Sequence, residues 1–334
     1  MRAVVTGGTG FLGSHLVETL REQGIPTCVL LRPGTSPAVL PPEVEYRVGD
    51  VRDPAALRDA FAGATVVFHL AALVTPFGPR HRYLEINVDG SGNVVDACRA
   101  AGVERLVHVS STVVYGIECD RRGLSEDAPR ATAFVAPYEE SKVKAEERVL
   151  ERADQAGLPT VIVRPGMGWG PRERVVLPVL IRNLSSRLFF MVGNGRNTLD
   201  LSYAKNVAHA LWLAATKPEA VGRIYNVTDG FAVTCREFLG ALAKTLGIPL
   251  RRRWVPKMLV APWVALLMHP EEEPRDRPFV PSRTTLFRLC ALYRDSEPSI
   301  GRIRIELGYV PPVDFVTAIA KTVAWYRETS SERP

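Results

Sequence analysis

Two short segments carry residues that together could exchange a proton with a carbonyl group. The segment VHVSSTVVYG places Ser110 and Ser111 at the end of a predicted strand, and PYEESKVKAEERVL places Tyr138 four residues before Lys142. Four residues make about one helical turn, so the phenol and the ammonium would share one helix face. A neighbouring ammonium favours the phenolate, and we expect it to lower the pKa of Tyr138 from about 10.

These residues predict a carbonyl-reduction site, in which Tyr138 transfers the proton and Ser111 donates a hydrogen bond to the carbonyl oxygen. Each residue alone also has a structural explanation. Ser110 or Ser111 could cap a turn, Tyr138 could be an aromatic at a helix start, and Lys142 could be a surface charge. Their joint occurrence, in this order and after a glycine-rich turn, favours the catalytic interpretation.

The glycine-rich turn lies in RAVVTGGTGFLG at the start of the chain. Val4 and Val5 suit a buried strand, and the run from Phe11 to Leu20 has apolar residues at helical spacing. Glycines between a strand and a helix expose backbone N–H groups at the helix start, where an anion is stabilised. The segment therefore predicts a cradle for the pyrophosphate of a dinucleotide.

The second predicted strand, TCVLLRPG, ends at Arg32, about twenty residues after this turn. An acidic residue here would bind the ribose of NAD, whereas an arginine can pair with the 2′-phosphate of NADP. We therefore expect NADP, with NAD as the alternative; if Arg32 only faces solvent, Arg47 or Arg52 could select the cofactor. Asp50, in VGDVRDP, could accept from the adenine amino group or cap the helix that begins at Pro54.

Residues 1 to about 165 alternate apolar runs with amphipathic helical stretches. This alternation predicts an α/β fold, a doubly wound parallel (Rossmann) sheet that binds ligands at the carboxyl ends of its strands. Residues 166–202 and 229–330 are irregular or mostly helical, and we expect them to form a smaller substrate-binding lobe. Residues 203–228 contain a helix and the strand GRIYNV, which would return to the dinucleotide-binding domain at 1–165.

The composition is that of a globular enzyme: 334 residues, 46% hydrophobic and 23% charged. The five cysteines are scattered without a CxxC pair, so we expect no metal site and no disulfide framework, and the absence of a secretory signal favours the cytoplasm. The net charge of +6 reflects runs such as Arg121-Arg122, which we interpret as solvated surface. They lack the interleaved aromatic residues of a nucleic-acid-binding surface.

The segment WVPKMLVAPWVALLM, residues 254–268, is strongly apolar but shorter than the roughly 18 apolar residues that span a bilayer. A core helix or pocket wall is the simpler interpretation. The alternative is an apolar lid, or a contact with a membrane surface that admits a lipid-like substrate.

The motifs TGGTGFLG, HLAA at 69–72, NVDGSGNVVDAC, SSTVVYG, PYEESK and RPGMGWGP resemble those of the extended short-chain dehydrogenase/reductase superfamily. The resemblance implies Ser111, Tyr138 and Lys142 as the catalytic set, with Lys142 also holding the nicotinamide ribose, and it implies a homodimer. Asn87 would pack behind the nicotinamide, although a structural hydrogen bond to neighbouring backbone fits it equally well. The implied cofactor-binding residues are Gly7, Gly10, Phe11, Leu12, Gly13, Arg32, Asp50, Val51, Leu70, Ala71, Ala72, Asn87, Tyr138, Lys142 and Pro165.

The second half of the chain distinguishes branches of this superfamily. Nucleotide-sugar enzymes usually carry an arginine that binds the substrate diphosphate, and Leu199 stands at that place in NTLDLSYAKNVAHALWLA. A leucine cannot pair with a diphosphate. The same region and the C-terminal segment instead resemble the 3β-hydroxysteroid dehydrogenase family, in particular sterol-4-carboxylate 3-dehydrogenases and reductases of long-chain 2-alkyl-3-oxoacids. Met167, Trp169 and His209 could line the pocket, or simply fill the core.

Together these patterns predict an NADP-preferring oxidoreductase that interconverts a secondary alcohol and a ketone on a bulky apolar substrate. The substrate could be a 3β-hydroxysteroid or sterol, a long-chain 2-alkyl-3-oxoacid, or another polyketide or terpenoid ketone. A nucleotide-sugar epimerase and a non-catalytic dinucleotide sensor are the two other hypotheses.

Overall fold

Apolar runs of the sequence form a seven-stranded sheet in a computed structural model that describes residues 1–74, 78–118, 120–186, 191–250, 253–256, 258–259 and 294–331. The strands are β1 (Ala3–Thr6), β2 (Thr27–Leu31), β3 (Glu45–Val48), β4 (Val66–His69), β5 (Arg105–Val109), β7 (Thr160–Pro165) and β12 (Ile224–Val227). All of them are parallel, in the order β3-β2-β1-β4-β5-β7-β12. The predicted α/β fold is confirmed.

Helices cover both faces of the sheet because β-branched and aliphatic residues point to each side of the central strands. They are α1 (Phe11–Glu22), α2 (Pro54–Phe61), α3 (Arg80–Tyr83), α4 (Gly90–Ala100), α5 (Pro137–Ala156) and α7 (Ala204–Thr216). One buried cluster joins the sheet to α1 and α7, and a second joins it to α2, α4 and α5. The carboxyl ends of the strands therefore form an open edge between two helical layers.

The helical stretch that contains Asn87 begins at Arg80. A wide π-helical turn, Leu84–Asp89, connects α3 to α4. π-turns hold an extra residue per turn and occur often at functional sites. Periodicity alone does not reveal such an insertion, because the apolar spacing on either side of it remains helical.

The remaining elements form the smaller lobe and its connections. They are the strands β6 (Arg121–Arg122), β8 (Met167–Trp169), β9 (Met191–Val192), β10 (Thr198–Leu199), β11 (Leu201–Tyr203), β13 (Val233–Thr234), β14 (Trp254–Val255) and β15 (Ser296–Glu297), with the helices α6 (Leu177–Ser185), α8 (Cys235–Leu246), α9 (Gly301–Leu307) and α10 (Phe315–Ser331). A third apolar cluster packs α6, α8 and α10 around Trp169. The helical C-terminal region is as predicted, whereas the exact domain boundaries stay a prediction.

A buried carboxylate joins this lobe to the end of the sheet. Asp229 follows β12 and accepts hydrogen bonds from Trp169 Nε1 (2.8 Å), Tyr203 N (2.8 Å) and Asn206 Nδ2 (2.7 Å). Asn206 also exchanges hydrogen bonds with both backbone groups of Val313, just before α10. Burial raises the pKa of Asp229 to about 6 against these donors. One residue thus fixes β8, α7 and the C-terminal segment relative to β12.

Two surface interpretations of the sequence have different outcomes. Arg121 is buried, donates from Nη1 to Thr112 O (3.2 Å) and lies 3.8 Å from Asp200, so the interpretation of this residue as solvated surface is wrong.

The apolar segment 254–268 lies mostly outside the described residues. Within the described part of the chain, no helix is long and apolar enough to cross a membrane.

Two helical glycines give a test of the packing. An ideal Cβ on Gly13 in α1 would lie 2.1 Å from Gly7 O, whereas one on Gly240 in α8 would meet its nearest neighbour at 3.9 Å. We expect Gly13→Ala to lower the free energy of unfolding by about 1–3 kcal/mol through overpacking.

Gly240→Ala is the matched control, and we expect it to raise the free energy of unfolding by up to about 1 kcal/mol through helix propensity. Urea denaturation of both variants measures the two changes. Equal effects would contradict the close approach of α1 to the glycine turn.

Candidate active site

Ser111 and Tyr138 meet at the carboxyl end of β5. Ser111 is extended and starts the 3₁₀ turn Thr112–Tyr115, where its Oγ accepts from Val113 N (3.4 Å). Its hydroxyl also forms a hydrogen bond with the hydroxyl of Tyr138, in the first turn of α5. Ser111 is therefore both a turn cap and a partner of Tyr138, so the two interpretations of this serine do not exclude each other.

The protonation of Tyr138 differs from the expectation. Burial raises the pKa of Tyr138 to about 12, and the hydrogen bond with Ser111 only partly opposes this. The predicted lowering by Lys142 is wrong for this structure, because the lysine side chain bonds to a different group. At neutral pH the phenol therefore carries its proton.

Lys142 is buried, so its interpretation as a surface charge is wrong. Its Nζ donates to the backbone carbonyl of Val109, the last residue of β5, at 2.8 Å. Burial lowers the pKa of Lys142 to about 8, and the charge of Glu146 acts in the opposite direction. The ammonium is thus held one helical turn from Tyr138, at the same strand end as Ser111.

The glycine turn after β1 has the features of an anion site. Phe11 and Leu12 are the first residues of α1, and no side chain caps this helix at Gly10. Gly7 has φ +72°, and a Cβ there would meet Ala71 N at 2.7 Å. Only glycine fits this cradle, and the uncapped helix start can stabilise a phosphate. These residues fit the pyrophosphate of a dinucleotide.

The segment after β4 closes one side of this cradle. Leu70 N donates to Thr6 O (3.1 Å), and Ala71 N donates to Thr6 Oγ1 (3.3 Å). Thr6 Oγ1 also lies 2.7 Å from Nδ1 of His69. Ala72 follows in the same half-buried segment. The sequence analysis missed Thr6, although a hydroxyl at the end of a buried strand next to a glycine turn is a usable signal.

Asn87 joins this segment to α5. Its Oδ1 accepts from Leu73 N (2.7 Å), and its Nδ2 donates to Leu73 O (3.1 Å) and to Ser141 Oγ (2.8 Å). The side chain is buried and lies in the π-turn. The expected structural hydrogen bonds to neighbouring backbone are thus present, and they fix the segment after β4 against the residue that precedes Lys142.

The adenine end of the predicted cofactor site is charged. Asp50 accepts from Nε (2.9 Å) and Nη2 (3.0 Å) of Arg52, and these bonds hold the pKa of Asp50 below its ordinary value. Asp50 does not cap α2, because Asp53 accepts from the first N–H groups of that helix. Arg32 is exposed, and its charge also lowers the pKa of Asp50. Val51 next to it is buried.

The remaining site residues lie further along the sheet. Pro165 is buried as the last residue of β7, and Met167 is half-buried in β8. Trp169 packs against Tyr203, Phe238 and Phe315, and His209 stacks on Tyr309 at 6.2 Å between ring centres. Trp169 and His209 therefore fill packed regions, as the simpler interpretation has it.

Leu199 is buried in β10 and lines a cavity of about 520 Å³ beside the end of β12. Its neighbour Asp200 lines the same cavity and accepts from Thr112 Oγ1 (2.7 Å), one residue after Ser111. The lining contains none of Ser111, Tyr138 and Lys142. This cavity is thus adjacent to the end of β5 but does not include the predicted catalytic residues.

The fold and these site motifs match a known family. Residues 3–228 match the model of the NAD dependent epimerase/dehydratase family, which is two thirds of the chain. The chain belongs to this family. The resemblance found in the motifs is therefore confirmed over these residues, which include all seven strands of the sheet.

Individual relatives within this family show which enzymes the chain is similar to. It is 36% identical to a 2-alkyl-3-oxoalkanoate reductase of Stenotrophomonas maltophilia (strain K279a), over 75% of this chain and 77% of that protein. It is 31% identical to a 3-beta-hydroxysteroid dehydrogenase of Mycolicibacterium neoaurum, over 98% and 92%. A crystal structure of DesIV, a dTDP-glucose 4,6-dehydratase from Streptomyces venezuelae with NAD and TYD bound, superposes with a TM-score of 0.77 at 27% identity, covering 99% of this chain and 98% of that one.

The protein is thus an NAD(P)-dependent oxidoreductase of the short-chain dehydrogenase/reductase type, acting on a hydroxyl or keto group. The glycine cradle and the uncapped start of α1 fit the dinucleotide that this chemistry needs. The individual cofactor contacts and the roles of the catalytic residues stay predictions.

Thr6 offers a test of the cradle. Thr6→Val keeps the volume but removes the oxygen that binds Ala71 N and His69, leaving two polar groups without their partner. We expect the Kd for NADPH, measured by fluorescence titration, to rise about tenfold, because the segment after β4 loses its fixed position.

Thr27→Val is the control. Thr27 starts β2, and its hydroxyl donates only locally, to Ile25 O at 2.9 Å. We expect its Kd for NADPH to equal that of the unaltered protein. The same rise in both variants would count against a specific role of Thr6.

Proposed function

We propose that the protein is an NADPH-dependent reductase of a ketone on a bulky apolar substrate, of the 3-ketosteroid or long-chain 2-alkyl-3-oxoacid class. The observation that carries the chemistry is the hydrogen bond of Ser111 with a protonated Tyr138, one helical turn from the buried ammonium of Lys142. A reduction consumes one proton, and Tyr138 holds that proton at neutral pH.

The apolar substrate is supported by the relatives and by Leu199. The relatives named above are a reductase of alkyl-oxoalkanoates and a hydroxysteroid dehydrogenase. Leu199 is buried where sugar-nucleotide enzymes of this type place a basic residue. The start of the segment 254–268 also exposes the apolar side chains of Trp254, Met258 and Leu259, which suits a surface for lipid-like molecules.

Each residue then has a defined task. Ser111 donates a hydrogen bond to the carbonyl oxygen and stabilises the charge that develops there. Tyr138 transfers its proton to the same oxygen. Bound NADPH supplies the hydride. Lys142 holds positive charge next to Tyr138 and binds the nicotinamide ribose. The glycine turn orients the dinucleotide through its pyrophosphate.

Arg32 supports the proposed preference for NADP. Its side chain is exposed at the end of β2, and its charge reaches Asp50 at the adenine end of the site. A guanidinium binds a phosphate through charge-assisted hydrogen bonds. Arg52 is already paired with Asp50 and Glu85, which leaves Arg32 the better candidate for the 2′-phosphate.

The function is tested by NADPH oxidation against a panel of 3-ketosteroids, 2-alkyl-3-oxoacids and nucleotide-diphosphate sugars, with Tyr138→Phe in parallel. We expect turnover of an apolar ketone. We expect kcat to fall at least about 10²-fold in the variant, because the proton donor is lost while NADPH still binds.

Tyr46→Phe, at an exposed tyrosine of β3, controls for a general effect of removing a phenol hydroxyl. Conversion of a sugar without net NADPH oxidation, followed by NMR of the sugar, would support the epimerase hypothesis instead, because an epimerase returns the hydride to its product. NADPH binding without any turnover would support the sensor.

Cofactor choice is tested separately with Arg32→Ala. We expect the Kd for NADPH to rise about 10- to 100-fold, since a charge-assisted phosphate contact is lost, while the Kd for NADH stays within about twofold. Isothermal titration calorimetry measures both values.

Arg47→Ala, at the neighbouring exposed arginine of β3, is the matched control and should leave the NADPH:NADH ratio unchanged. If Arg47→Ala changes the ratio and Arg32→Ala does not, the cofactor is selected by β3 rather than β2.

A further inference from the structure

Glu146 lies on the catalytic helix, four residues after Lys142, and its side chain is fully buried. Residues at this spacing are neighbours on one helix face. The negative charge of Glu146 favours the protonated form of Lys142 and works against burial, which disfavours it. Within the described part of the chain, Glu146 is the acidic group that acts on this lysine.

A buried arginine fixes the position of Glu146. Arg164, in β7, donates from Nε to Oε2 of Glu146 at 2.9 Å and from Nη2 to Oε1. Its Nη1 donates to Tyr115 Oη (2.7 Å) and to Glu126 O (3.0 Å). The guanidinium of Arg164 is therefore held by partners on both of its ends. Its two hydrogen bonds to Glu146 fix the orientation of that carboxylate.

Few other charged groups lie around Lys142 and Glu146. On the side of Lys142, His69 in β4 and His108 in β5 are buried, and burial together with the lysine charge keeps their pKa values low, that of His69 at about 3. On the side of Glu146, the exposed edge carries Arg130, whose Nη1 lies 3.2 Å from Oε1, and the buried Ser110 hydroxyl faces the carboxylate. Both histidines are therefore neutral near pH 7.

We propose that Glu146, clamped by Arg164, is a positioning residue that holds the Lys142 side chain as an ammonium at the end of β5. The inference rests on the proposed role of Lys142 in the reaction. Burial disfavours the charged form of Lys142, and a neutral amine would not bind the ribose as a cation. Glu146 supplies the compensating charge from a fully buried position on the same helix.

The Arg164–Glu146 pair also joins α5 to β7. Buried ion pairs contribute little net stability, because desolvation of both charges offsets their attraction. This structural role therefore does not by itself account for a buried carboxylate one helical turn after Lys142.

The test measures the protonation of Lys142 directly in the full chain without cofactor. The protein is labelled with ¹⁵N-lysine, and the side-chain resonances of its seven lysines are followed with pH by NMR. Lys142→Met assigns the resonance. We expect Glu146→Gln to lower the titration midpoint of Lys142 by about one pH unit.

Glu147→Gln is the matched control. Glu147 is the next residue on α5, and its side chain is half exposed. Among the residues that the structure describes, its ion-pair partner is Arg130 at the protein surface. We expect this variant to leave the Lys142 midpoint unchanged. An unchanged midpoint in Glu146→Gln, or an equal change in both variants, overturns the inference.

Glu146→Gln leaves the buried Arg164 cation unpaired and can unfold the protein. The double variant Glu146→Gln/Arg164→Gln removes both charges, and we expect the Lys142 midpoint to fall in it as well. A midpoint that stays at its original value in the double variant also overturns the inference. Because the titration needs no turnover, failure of the substrate panel would refute the proposed function without affecting this result.

Discussion

The active-site half of the molecule depends on one buried ion pair, Arg164 with Glu146. A guanidinium inside a parallel sheet must have its donors satisfied, and the chain satisfies them with a carboxylate from α5, a phenol from the turn after β5 and a backbone carbonyl. These partners come from three segments that are distant in sequence. Satisfying one arginine therefore fixes the catalytic helix against β7 and positions the turn that begins at Ser111.

The sheet is fixed in a similar way at its other functional strand end. There Gly7 and Gly13 allow the turn after β1 to approach α1 and the segment after β4, and Thr6 locks that segment in place. Asn87 then links it to α5 through Ser141. The predicted dinucleotide cradle and α5 are thus connected by side-chain hydrogen bonds.

Much of this arrangement could be predicted from the sequence. The alternation of strands and helices gave the parallel sheet, since a period of two or of 3.6 is a local signal, and the glycine turn marked β1. The buried polar network could not be predicted in the same way. Arg164 lies in the apolar run VIVRP and Glu146 in a charged helix, and neither local sequence indicates that the two side chains pair across 18 residues. The protonation of Tyr138 was missed because it depends on burial, which spacing does not report.

The hydrogen bond from Lys142 to the carbonyl of Val109 limits which substitutions can remove it. A main-chain oxygen is present whatever residue occupies position 109, so no single substitution there deletes the acceptor. The lysine is anchored to the path of the strand rather than to the identity of a side chain. Neighbouring core residues can therefore change while the main-chain acceptor of the ammonium stays in place.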